Sequence, residues 1–129
     1  MNEVVAEWVK KAEGDFAVAQ REMRVRKNPF HDGVCFHCQQ CVEKYIKGVL
    51  QDHGIHFLKI HDLPTLLNQC LSDFPLWEGY RQAFKKLTLY AVLLRYPGET
   101  ATKAQARDAF SCAQEFRTEA RRALGLKGS

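Results

Sequence analysis

No stretch of this 129-residue chain approaches the roughly 20 consecutive apolar residues needed to cross a bilayer. The opening Met1-Asn2-Glu3 lacks the basic stretch and apolar core of a secretory signal. A cytoplasmic location with no membrane partner is the expectation. The cysteines number five, an odd count, and Cys35, Cys38 and Cys41 crowd one short segment, which is poor material for a disulfide framework and points to reduced thiols. There is no Ser/His/Asp arrangement, paired-carboxylate motif, glycine-rich phosphate loop or HExxH, so the standard enzyme signatures are missing. No segment sustains the two-residue alternation of a strand, and nothing repeats at a fixed period. A dense basic stripe is also lacking. The net charge of +4 is modest and its residues are scattered, apart from Arg21, Arg24, Arg26 and Lys27 and the pairs Lys85/Lys86 and Arg121/Arg122. That balance permits phosphate contact without demanding it.

What is present describes one globular domain over residues 1–129. Hydrophobic residues make up 46% and charged residues 26%, ordinary globular usage. A chain of this length buries roughly two thirds of its unfolded surface in one core. The four prolines fall where helical patterns start or stop. From Asn2 to about Val25, the residues Val5, Trp8, Val9, Ala12, Phe16, Ala19 and Met23 step by three and four, as on one helix face. Asn2 suits the N-cap, and Asn28-Pro29 ends the helix. A second helix runs from an Asp32 cap to about His53, closed by Gly54. Its core face is Cys35, Cys38, Val42, Tyr45, Ile46 and Val49, with Gln40, Glu43 and Lys47 on roughly the opposite side. After a loop, Asp62-Leu63-Pro64 begins a short helix through Leu71. Pro75 opens a fourth, with Leu76, Tyr80, Phe84, Leu87, Ala91 and Leu94 inward, broken at Pro97-Gly98. The fifth spans about Thr102 to Leu124 and stops at Gly125. The expected fold is an all-α, up-and-down bundle of about five helices, four long and one short.

Few segments carry chemistry. Cys35, Cys38 and Cys41 with His37 between them invite a zinc or iron–sulfur reading. On one helix, however, their sulfurs point about 60° apart and cannot converge on one ion. They read as core cysteines, with no metal and no cofactor. Glu43 and Lys47, four apart, make either an exposed helix ion pair or, with Gln40, a polar wall facing a ligand or partner. His61 precedes a helix N-terminus, where an anion docks well; the alternative is a loop histidine bonded to a local carbonyl. Arg95 either completes the dipole at a helix C-terminus or grips a phosphate with its guanidinium fork.

The strings FHCQQCVEKYIKGVL (Phe36 to Leu50), HDLPTLL (His61 to Leu67) and LYAVLLRYPGET (Leu89 to Thr100), in that order, resemble the HEPN domain, a helical bundle often found beside a nucleotidyltransferase. The resemblance covers about Trp8 to Leu124. It implies that Gln40, Glu43, Lys47, His61, Tyr90, Arg95 and Tyr96 contribute to one polar surface, near the face where two copies pair and linked to nucleotide or RNA binding. HEPN ribonucleases carry an arginine followed four to six residues later by a histidine. After Arg95 this chain reads Tyr96, Pro97, Gly98, Glu99, Thr100, Ala101, Thr102, so the standard nuclease site is missing. The resemblance implies a non-catalytic nucleotide- or partner-binding module, homodimeric, acting with a separate minimal nucleotidyltransferase in a toxin–antitoxin or stress-response pair. In such pairs Tyr90 or Tyr96 would be the hydroxyl open to modification. The rival readings are a metal-independent ribonuclease using Arg95 with a histidine from elsewhere, His61 first, and a structural subunit whose polar cluster fixes dimer register.

Overall fold

Asn2 sets the first helix by accepting the Val5 amide proton at 2.9 Å, the N-cap bond that satisfies one orphan donor. In the computed structural model, which describes residues 1–128, five α-helices, one 3₁₀ turn and no strand form among the described residues. They are α1 (Glu3–Met23), α2 (His31–Asp52), α3 (Leu63–Cys70), the 3₁₀ turn Pro75–Tyr80, α4 (Arg81–Leu93) and α5 (Lys103–Ala123). The all-α bundle is as the hydrophobic spacing predicts. Gly54 and Gly125 take the positive φ that closes α2 and α5, and Thr102 with Gln105 forms a capping box at the start of α5.

α2 is the central helix, packed against all four others. Between Val34 and Leu50 only Phe36, His37, Gln40 and Lys44 escape burial. A helix enclosed on nearly every side must pair its polar residues within the protein, because an unpartnered buried charge costs several kcal/mol. That requirement is met: no buried side-chain nitrogen or oxygen lacks a hydrogen-bond partner among the described residues. All five cysteines are buried and free. Burial, with Asp32 adding to it, pushes the Cys35 thiol up to about 11.

Three expectations about helix ends are corrected. Asp32 does not cap α2. Phe30 holds the N-cap position without a side-chain bond, which leaves Asp32 in the first turn, where its carboxylate accepts the Ala101 amide proton at 2.6 Å and ties the lead-in of α5 to α2. The fourth helix does not begin at Pro75 either. The tighter 3₁₀ turn swings Trp77 inward, stacked on Phe74 at 4.1 Å and edge-on to Phe116, and leaves Leu76 91% exposed. At its other end α4 stops at Leu93 with Leu94 as C-cap, so Arg95 lies beyond the helix rather than in its last turn.

Between α1, α2 and α5, Glu13 is a second polar anchor. It accepts Tyr45 Oη–H at 2.5 Å and both arms of Arg117 at 2.7 Å, the bidentate geometry that a guanidinium favours.

Candidate functional site: a buried carboxylate beside an aromatic cleft

Glu43 is 3% exposed and Lys47 5%, which overturns the exposed-pair reading of these two residues. Spacing places them opposite the cysteine face, but the 54–62 loop and Trp8 cover that side. Lys47 Nζ donates to Glu43 Oε2 at 3.0 Å and Gln39 Nε2 to Glu43 Oε1 at 2.9 Å. His61 Nδ1 lies 3.1 and 3.0 Å from the two carboxylate oxygens. A carboxylate only accepts, so this nitrogen carries the hydrogen and a neutral His61 keeps its Nε2 lone pair free. Gln40 extends the chain by donating to Gln39 Oε1 at 2.7 Å. Burial raises the Glu43 carboxyl, but the bonds from His61, Gln39 and Lys47 outweigh it and hold the group below the ordinary glutamate value.

Lys47 and His61 emerge on the wall of a cleft of about 760 Å³, which Trp8, Phe57 and Lys59 also line and into which no carboxylate is turned. Trp8 meets Phe57 edge-on at 6.3 Å and receives the Lys47 ammonium 5.7 Å from its ring centroid, within cation–π range. Gly48 allows that approach, since a β-carbon there would stand 3.3 Å from Trp8 Cβ. The His61 side chain is 78% exposed despite its bond to Glu43. The arrangement offers one fixed ammonium, one imidazole open to a ligand, a free lysine and two ring surfaces, a set suited to a base or sugar beside an anionic group.

Tyr90 and Arg95 belong to a different place. They line a smaller cleft of about 230 Å³ at the N-terminal end of α2, with Phe36 and His37. His37 Nδ1 lies 2.8 Å from Asp15 Oδ1, and Lys44 Nζ donates to the other oxygen at 2.5 Å. Tyr96 is 62% exposed beyond the end of α4. Of the seven residues expected on one surface, Gln40, Glu43, Lys47 and His61 thus form one connected cluster, Tyr90 and Arg95 share a second, and Tyr96 is in neither. Spacing within α2 did not disclose Gln39, Trp8, Phe57 or Asp15. The pattern assigns Trp8 to the core, Gln39 stands one turn before Glu43 on the same helix, and Phe57 and Asp15 reach the sites only through contacts between elements. Among the described residues no three His, Cys, Asp or Glu side chains are grouped as metal ligands would be, and no helix is long and apolar enough to cross a membrane.

The sequence matches the family model of the HEPN domain over residues 5–123. The chain belongs to the HEPN family. Its fold matches TT1696 from Thermus thermophilus with a TM-score of 0.80 at 22% identity, covering 95% of this chain and 99% of that one. It also matches ST0689, an archaeal HEPN homologue, with a TM-score of 0.73 at 26% identity, covering 94% and 97%. No curated protein matches the chain at a significant level. Within the HEPN fold, Glu43 stands in the middle of the central helix and Arg95 lies just beyond the end of α4.

Proposed function

We propose that this HEPN chain is a nucleotide-binding module without chemistry of its own, which pairs with a second copy and works with a separate minimal nucleotidyltransferase of the toxin–antitoxin or stress-response kind. One observation carries the binding reading: Lys47 and His61 converge on the buried Glu43 along a cleft that also presents Trp8, Phe57 and Lys59 and no carboxylate. The carboxylate fixes both partners, so a ligand meets them already ordered. Pairing is supported by an unburied apolar stripe on α4 and just past it. Leu89, Val92, Leu93 and Tyr96 are 51%, 51%, 38% and 62% exposed at three- and four-residue steps. The absence of histidine between Tyr96 and Thr102 supports the lack of nuclease chemistry.

Native mass spectrometry of the purified protein, alone and with ATP, tests this reading. A dimer that gains one nucleotide mass per subunit or per dimer is expected, and a protein that gains none would shift the ligand class to a macromolecule. Co-expression with an adjacent minimal nucleotidyltransferase should give one joint peak on size exclusion. Two separate peaks would remove that partner.

A second reading has its own observation. His37, held through Nδ1 by Asp15, lines the same small cleft as Arg95, whereas His61, held in the same way by Glu43, lines the other cleft. If the protein cleaves RNA, the pair is Arg95 with His37 rather than His61: an oriented imidazole for proton transfer and a guanidinium for the phosphate. Cleavage of labelled RNA that disappears in both Arg95→Ala and His37→Ala would establish it. Cleavage that survives both would mark a contaminant.

A further inference from the structure

At the corner where α1 ends and α2 and α5 begin, a cleft of about 670 Å³ is lined by Arg24, Arg26, His31, Lys103 and Arg107. None of the four Arg and Lys side chains takes part in an ion pair among the described residues. The acidic groups at the corner accept backbone amide protons and pair with none of these cations. Glu22, in the lining, accepts the Phe30 amide proton at 2.6 Å, and Asp32 accepts that of Ala101. Because Phe30 brings no side-chain acceptor to the N-cap of α2, the first-turn amides of that helix add partial positive charge on the same side.

The rim is also fixed. Asn28 holds a left-handed φ of 53°, a conformation that asparagine tolerates better than most residues, and the Glu22 and Asp32 bonds tie the turn to α1 and the lead-in of α5 to α2. With Glu22 the one carboxylate in the lining, the four Arg and Lys side chains remain in excess and repel one another until an anion joins them. The rest of the lining is Met23, Val25, Pro29 and Ala106, with no aromatic ring for the base stacking on which single-strand binders rely. High charge density without a stacking platform favours a compact polyanion over a nucleic-acid strand.

We propose that this corner binds a chain of linked phosphates, whether an inorganic oligophosphate or the tail of a nucleoside polyphosphate. It is separate from the Lys47 cleft. His31 and Lys47 are 16 residues apart on α2, roughly 24 Å at 1.5 Å per residue, and the proposal stands whether or not that cleft takes a nucleotide.

Calorimetric titration with inorganic tripolyphosphate at low salt is the test, on wild type, the double variant Arg24→Ala/Arg107→Ala, and the charge-matched control Lys10→Ala/Lys85→Ala. Exposed positions are used throughout, so folding is unaffected, and circular dichroism confirms it. Binding of one tripolyphosphate per subunit is expected, weakened roughly tenfold or more in the corner variant, within about twofold of wild type in the control, and falling as salt rises. Equal affinity in the corner variant and wild type, or no binding to wild type, would overturn the proposal. ATP binding weakened alongside tripolyphosphate in the corner variant identifies a nucleoside polyphosphate as ligand; ATP binding that is unchanged there identifies an inorganic one. A single-stranded RNA that binds through Arg24 and Arg107 and is not displaced by tripolyphosphate would also overturn it.

Discussion

Lys47 Nζ stands 3.0 Å from Glu43 Oε2 with both side chains all but excluded from solvent. This is a buried pair inside a helix where spacing alone describes a surface one, and the two partners are not equally supported. Glu43 retains His61 and Gln39 if Lys47 is lost, whereas Lys47 without Glu43 has only the face of Trp8. Glu43→Gln should therefore cost about 3–5 kcal/mol, the usual penalty for stranding a buried charge. Lys47→Met should cost less, about 1–3 kcal/mol. The double variant should fall short of the sum. Urea unfolding at neutral pH measures all three, and equal or additive costs would count against the asymmetry.

Much of the fold was legible because local chemistry decides it. Asn2 and Thr102 are caps with an acceptor side chain, Gly54 and Gly125 are stops that need positive φ, and the three- and four-residue steps name the inward faces of α1 and α5. The Glu43 site was legible only in part. Gln40, Glu43 and Lys47 stand on one face by spacing, but which face is buried depends on α4, the 54–62 loop and Trp8, none of which is local to α2. The Pro75 segment failed for a similar reason. Its 3₁₀ winding is set by Trp77 seeking Phe74 and Phe116, a contact reaching across to α5.

Acid should weaken the fold through the same carboxylates. Glu43 and Glu13 are both held below the ordinary glutamate value: burial works against this, but the donated bonds of His61, Gln39 and Lys47 in one case and of Arg117 and Tyr45 in the other prevail. A group depressed in the folded state binds its proton more readily when unfolded, so its stabilisation is fully present above the unfolded value. It is lost as pH falls through the folded one. Unfolding free energy should hold near neutrality and drop once pH passes below the ordinary glutamate range. Glu13→Gln and Glu43→Gln should each flatten that drop, and a parallel decline in both would remove these groups as its source.

The five thiols are expected to behave as core atoms. Burial pushes Cys35 up to about 11, and Cys70 and Cys112 up to about 12, and a thiol that does not ionise does not attack. A thiol-reactive disulfide reagent at pH 8 should therefore label the native protein only at the rate of unfolding, and all five cysteines in urea. Rapid labelling of one native cysteine would show that its surroundings open.

Trp8 offers a direct optical readout of the cleft. It is half-buried in the cleft wall, while Trp77 is 5% exposed in the aromatic core. Nucleotide should quench emission in wild type and leave Trp8→Phe, which retains Trp77, nearly unchanged. Trp8→Ala should weaken binding by about tenfold, within the roughly 1–3 kcal/mol that one base–aromatic stack contributes. Quenching that persists in Trp8→Phe would place the ligand elsewhere.

The α4 stripe sets the last expectation. Leu89, Val92 and Leu93 project apolar surface that the fold leaves uncovered, and Tyr96 continues the line past the helix end. A stable pair needs roughly 800 Å² buried per partner, more than four side chains supply, so neighbouring Phe36 and Phe30, 38% and 62% exposed, are expected within the same interface. Leu89→Glu/Val92→Glu places two like charges opposite their copies across a two-fold axis. It should elute as a monomer by size exclusion with light scattering, at unchanged helical content. Because Tyr90 and Arg95 lie between these positions, their cleft would then be completed by the second copy, and Arg95→Ala should leave the dimer intact. A variant that stays dimeric would move the pairing face off α4, and with it any composite role for Arg95.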